Sequence, residues 1–261
     1  MKLGKYHPFS QNIVTDESGA SFTLSDSGHS QPFTFPLVAV FGDDPDLSKI
    51  LKLSDVETSE RKTDKVKILL LSAKPAGTTT LQLDEEMREI TQKIRAAEHR
   101  DLIEVVTAGA VRPDDLLQAM NEHRPHVIQF SGHGSRSKAI IVCDEGGSSK
   151  PVGKDALVVL FESTRSNVQV VVLNSCYSRA QAEAIVSVVP CAIGMKDSVG
   201  DRAARVFAAS FYRAVAFGHS VQTAFEQGIA ALKLEGIAED DIPELIAQDG
   251  VDPTEVVVVV P

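Results

Sequence analysis

Cysteine is scarce in this chain. Its three thiols, Cys143, Cys176 and Cys191, are odd in number and show no CxxC spacing, which suggests neither a disulfide framework nor a zinc site. They read as free thiols. Long apolar runs are also missing. No window approaches the roughly 18 apolar residues of a membrane span, and the start, MKLGKYHPFSQN, has no apolar leader core. A cytoplasmic protein without a membrane partner is therefore expected. Basic residues are outnumbered, 26 Lys and Arg against 36 Asp and Glu, and the net charge of -10 argues against a nucleic-acid partner. The chain has no internal repeat or low-complexity tract. It also lacks the GxxxxGKS and GxGxxG spacings, which disfavours SGHGSRS as an anion-binding loop. No metal or organic cofactor is implied.

The hydrophobic content of 43% and charged content of 24% are those of an ordinary globular protein, and 261 residues allow one well-buried domain with an appendage. Residues 1–64 are rich in Ser, Asp, Gly, Pro and Thr, with short β-prone pieces such as ASFTL and FTFPLVAVFG. They read as a β-containing extension or tether that ends in the charged linker DVETSERKTDK. From residue 65 to 261, element types alternate. KVKILLLSA, LIEVVTAG, HVIQFSG, VQVVVLNS and CAIGM read as buried strands. LDEEMREITQKIRAAEHR places Leu83, Met87, Ile90, Ile94 and Ala97 on one helical stripe, and RPDDLLQAMNEH opens a helix with Pro113 in its first turn.

Further helices are expected over KDALVVLFES and RAQAEAIVSVV, with two more divided at Gly218 and capped by Asp201 and Ser220. A hairpin is expected around AIIVCDEGG, with CDEGGSSKPVG beyond it forming no regular element, and the terminal TEVVVVVP reads as a strand. Such alternation predicts an α/β fold, a mainly parallel sheet with helices on both faces.

In such sheets, sites form beyond the carboxyl ends of the strands. Two phrases, VIQFSGHGSRSKAIIV and VQVVVLNSCYSRAQAEAI, each run an apolar stretch into small residues and one reactive side chain, His133 in the first and Cys176 in the second. Two strands would thus deliver both groups to one crevice. A thiol attacks as its thiolate, which a following helix N-terminus and a neighbouring imidazole both favour. His133 is a candidate general base and acid, and the backbone N–H groups of Gly134 and Cys176 are candidate oxyanion donors. Cys143 and Cys191 precede no helix and read as packing residues. His123, His126 and His219 read as surface or capping residues, and Asp84, Glu85 and Glu86 as solvated first-turn carboxylates.

At these residues the chain resembles the CHAT domain, a caspase-like peptidase family found in bacterial conflict and programmed-death systems. KILLLSAKPAGTTTLQLDEEMREI, VRPDDLLQAMNEHRPHVIQFSGHGS, VVLNSCYSRAQAEAI and IGMKDSVGDRAARVFAASFYRAVAFGHSVQTAFEQG carry the resemblance, over about residues 66 to 260. It implies a caspase-like fold and a His-Cys dyad at His133 and Cys176. It further implies a cysteine endopeptidase that cuts a partner protein encoded nearby, or itself, when a sensor or activator releases it. The alternative is a caspase-like interaction module that acts by binding alone.

Strand periodicity puts Asn174 on the side of Cys176, where it can line the pocket for the residue preceding the cut. Wider-clan relatives that cut after Arg or Lys carry an aspartate there. The neutral amide predicts weak preference for basic residues, unless Asp197, in the loop after CAIGM, supplies the charge.

Overall fold

A computed structural model of the chain describes residues 21–24, 33–36, 65–78, 81–135, 139–164 and 167–260. The chain divides into two units, residues 1–61 and 62–261. In the first, β1 (Ser21–Leu24) and β2 (Phe33–Pro36) pair antiparallel, on two of the segments read as β-prone. The remainder of the extension, with its proposed linker, lies outside the described residues.

The second unit alternates as the sequence implied. It runs β3 (Val66–Ala73), α1 (Leu83–Arg95), β4 (Ile103–Ala108), α2 (Pro113–His123) and β5 (Val127–Gly132). A small antiparallel sheet follows, made of β6 (Gly134–Ser135), β7 (Ala139–Cys143) and β8 (Ser149–Gly153). Then come α3 (Lys154–Thr164), β9 (Val170–Asn174), α4 (Arg179–Ile185), β10 (Cys191–Met195), α5 (Asp201–Ala216), α6 (Val221–Leu234) and β11 (Pro243–Ala247). The main sheet has the order β11-β10-β9-β5-β3-β4 and is parallel except for the β10–β11 pair.

The strands are apolar throughout because both faces are covered. Ile68 and Leu70 of β3 join a core with α1, α5 and α6, while Leu69 and Leu71 join a second core with α2, α3 and α4. Each fully buried Ile or Leu contributes about 1.5–3 kcal/mol relative to exposure. Gly194 lets α4 lie close on β10, since a Cβ there would meet Ala182 Cβ, Arg179 Cα and the Ser178 carbonyl oxygen at 2.9 Å.

Four local expectations are corrected. TEVVVVVP is not a strand. Its Val256 carbonyl accepts from Val221 N at 2.8 Å and the nearby Pro253 carbonyl from Gln222 N at 3.1 Å, so this segment satisfies N–H groups left open at the start of α6. Val258 and Val259 are buried beside it, and the sheet edge is taken instead by β11, whose proline-led PELIA gives little strand signal. Within CDEGGSSKPVG, residues Ser149–Gly153 form a strand, because Asp144 Oδ1 accepts from Gly146 N and Ser148 N, both at 2.8 Å, and closes the turn that pairs β8 with β7. Ser220 caps α6 by accepting from Thr223 N at 3.3 Å, whereas the N-cap of α5 is Gly200, and the Asp201 carboxylate accepts from Gln82 N at 3.1 Å instead. His126 has a structural role, its Nδ1 accepting from Lys67 N at 3.0 Å.

Candidate active site

β5 and β9 are neighbours, and their last register pair is Ser131 opposite Asn174. His133 and Cys176 each stand two residues beyond that pair, so the sheet brings the two sequence-predicted residues to adjacent strand ends. Both are half-buried. The chain leaving His133 then passes directly over the Cys176 main chain. A Cβ on Gly134 would lie 1.8 Å from the Cys176 carbonyl oxygen and 3.0 Å from its nitrogen, so only glycine permits this approach.

The turn that carries Cys176 is held on several sides. Tyr177 has φ of 58°, a left-handed conformation uncommon for an aromatic residue, and its N–H donates to the Asp197 carbonyl at 3.1 Å. Ser178 is fully buried, donating to the Leu173 carbonyl at 2.8 Å while accepting from Met195 N at 2.9 Å, which joins the ends of β9 and β10. The Cys176 sulfur lies 3.6 Å from Ser198 Oγ and donates towards the Val199 carbonyl at 3.7 Å. α4 begins at Arg179 and is seven residues long.

The loop that receives the thiol, residues 196–200, is itself anchored. Gly200 N donates to Glu239 Oε2 at 2.6 Å, and Lys196 pairs with Asp241 at 2.8 Å. Asp197 is exposed, its Oδ1 accepting from Ser198 N at 2.7 Å.

Asn174 is buried beneath the site. Its Nδ2 donates to Glu86 Oε1 at 2.8 Å and to the Ala204 carbonyl at 3.2 Å. Ser131 Oγ donates to the same Glu86 oxygen at 2.6 Å, and Gln129 Nε2 donates to it and to Ser131 Oγ. Glu86 is only 3% exposed, which corrects its reading as a solvated first-turn acid. Burial pushes its carboxyl above the ordinary range, against the pull of the Ser131, Asn174 and Gln129 donors and with the aid of the Asp201 charge. The signal was in the pattern: Glu86 falls three after Leu83 and four before Ile90, inside the apolar stripe of α1.

Of the three thiols, Cys143 and Cys191 are buried and Cys176 is partly exposed. Burial pushes Cys191 up to about 11, leaving it inert near neutral pH. Among the described residues no three His, Cys, Asp or Glu converge as metal ligands, and no helix is long and apolar enough to cross a membrane.

The family description that matches this chain is "CHAT domain", over residues 44–234. The chain belongs to the CHAT domain family. The match starts ahead of residue 66, where the motifs that carry the resemblance begin, and ends at the last residue of α6. This CHAT chain is 28% identical over 208 residues to a Roc-COR-CHAT protease of an unknown prokaryotic organism, an alignment covering 74% of the chain and 20% of that protein. The chain thus spans about a fifth of that relative. Among solved structures, the CHAT chain is similar to a secreted C11 cysteine protease from Bacteroides thetaiotaomicron, in complex with an irreversible peptide inhibitor (TM-score 0.48, 11% identity, 70% of this chain and 66% of that one). It is also similar to the Drosophila initiator caspase Dronc (TM-score 0.46, 8% identity, 73% of this chain and 84% of that one).

Proposed function

We propose that this chain is a cysteine endopeptidase working through His133 and Cys176. The observation that carries the reading is the passage of Gly134 against the Cys176 main chain, which sets the residue after the imidazole against the nucleophile's own backbone. In this reading His133 takes the thiol proton, and the Cys176 sulfur attacks the scissile carbonyl carbon. The negative charge that develops on the carbonyl oxygen is met by the N–H groups of Gly134 and Cys176. The imidazolium then protonates the leaving amine, the C–N bond breaks, and an acyl-enzyme remains. Water, deprotonated by His133, hydrolyses the thioester and restores the thiol.

Attack requires the sulfur to leave its contact with the Val199 carbonyl, and this gives an activator something to act upon. Asn174 and Asp197 are the proposed contacts of the substrate residue before the cut. The substrate is a partner protein encoded nearby, or the chain itself, in a cytoplasmic bacterial defence or programmed-death pathway. The test is co-expression with neighbouring gene products, looking for one discrete cleavage lost in both Cys176→Ala and His133→Ala. If a cut persists in both variants, the dyad is excluded. If no cut appears with any activator or neighbour while a neighbour binds tightly, the interaction-module reading takes its place.

A further inference from the structure

Glu86 takes no part in the chemistry proposed above, yet its Oε1 is the meeting point of both strands that present the dyad. Ser131 and Asn174, which donate to it at 2.6 and 2.8 Å, are register partners, and each stands two residues before His133 or Cys176. We infer that Glu86 is a positioning residue for the dyad, a single buried acceptor that fixes the spacing and register of the β5 and β9 ends. The inference rests on the reading of His133 and Cys176 as one dyad.

The ladder itself cannot do this work at its end. β5 stops at Gly132 and β9 at Asn174, so no pairing between these two strands continues beyond Ser131 and Asn174, where the two residues of the proposed dyad are presented. Any splay at this point changes the distance between imidazole and thiol directly, and the Gly134 approach leaves little tolerance. Gln129 adds a third donor to the same oxygen and a bond to Ser131 Oγ at 2.9 Å, so the β5 side is held at two successive same-face positions. On the β9 side, Asn174 also bonds the Ala204 carbonyl at 3.2 Å, which ties the strand end to the first turn of α5.

Glu86, Gln129, Ser131 and Asn174 are at most 4% exposed, so bulk water neither screens these bonds nor replaces them. Two further charged or titratable groups bear on the carboxyl: Asp201 at the start of α5, and the fully buried Tyr212 farther along that helix. Neither donates a hydrogen bond to it among the described residues.

The experiment is the pH dependence of Cys176 alkylation by iodoacetamide, read by mass on the Cys176 peptide. This rate follows thiolate formation and needs no substrate. In Glu86→Ala the midpoint is expected to rise relative to the wild-type chain, with the rate at pH 6 falling about tenfold for each unit of rise. Glu86→Gln keeps an oxygen able to accept the same donors and is expected to restore the wild-type profile, whereas a role limited to stability would leave all profiles superimposed. If Glu86→Ala does not fold, Ser131→Ala and Asn174→Ala each remove one donor and should shift the midpoint in the same direction. His133→Ala separates the two levels of the reading. A shift in His133→Ala with none in the folded Glu86, Ser131 and Asn174 variants overturns the positioning role alone. No shift in His133→Ala overturns the dyad itself.

Discussion

Asn174 and Glu86 lie 88 positions apart in the chain, and a 2.8 Å hydrogen bond joins them directly beneath the strand ends that carry His133 and Cys176. The bond changes what a substitution at Asn174 can report. An aspartate there would lose the donated N–H and face the Glu86 oxygen with a second acid. Asn174→Asp should therefore cost about 1–3 kcal/mol or more in urea denaturation. Combining it with Glu86→Gln removes the facing pair of acids and should recover part of the loss. The peptide-library profile belongs on that double variant, where selection should move towards Arg or Lys relative to the wild-type chain. An unchanged profile would remove Asn174 from the substrate contacts.

Gly134 permits a sharper test of the strand-end geometry. Gly134→Ala would place a methyl 1.8 Å from the Cys176 carbonyl oxygen, which no rotamer can relieve. The expected cost is at least about 1–3 kcal/mol of stability, with cleavage falling by two orders of magnitude or more, roughly 3 kcal/mol of barrier. Activity within twofold of wild type would show that the two main chains do not meet in solution.

The buried carboxyl of Glu86 has a stability signature of its own. Because its native titration lies above the ordinary 4.5, the folded chain holds a proton that the unfolded chain has already released once the pH passes that value. Its contribution is present in full below 4.5 and is lost as pH rises through the native titration. Glu86→Gln lacks this loss. The stability difference between Glu86→Gln and wild type should move in favour of the glutamine variant as pH rises above 4.5, and a difference constant with pH would show that the carboxyl does not titrate as described.

Cys191 gives the corresponding test in alkali. Burial holds it up to about 11 against an ordinary 9.0, so between these values the native chain keeps a proton that the unfolded chain loses. Stability should fall by about 1.4 kcal/mol per pH unit from this residue alone. Cys191→Ala should flatten that part of the curve between pH 9 and 11. A slope identical to wild type would assign the alkaline loss elsewhere.

The strands were legible because a short, continuous apolar run bounded by polar turns fits best between two covered faces of a sheet, and the carboxyl ends of two such runs pointed to His133 and Cys176. Glu86 was obscured by its neighbours. Asp84 and Glu85 give the triplet the look of a solvated helix start, and only the position of Glu86 relative to Leu83 and Ile90 separates it from them. Gln129 and Ser131 were equally visible as polar interruptions on one face of β5, but their common partner comes from a helix more than forty positions away. β11 was missed for another reason: PELIA owes its strand geometry to the open edge of β10 rather than to its own residues.

The anchoring of residues 196–200 makes the edge of the sheet a lever on the sulfur. Ser198 and Val199 touch the thiol, while Lys196 and Gly200 on either side are fastened to Asp241 and Glu239 just ahead of β11. The Lys196 N–H also donates to the Ile242 carbonyl at 3.0 Å. A displacement of that outer strand would therefore be passed to the surroundings of the Cys176 sulfur through two short spans of main chain.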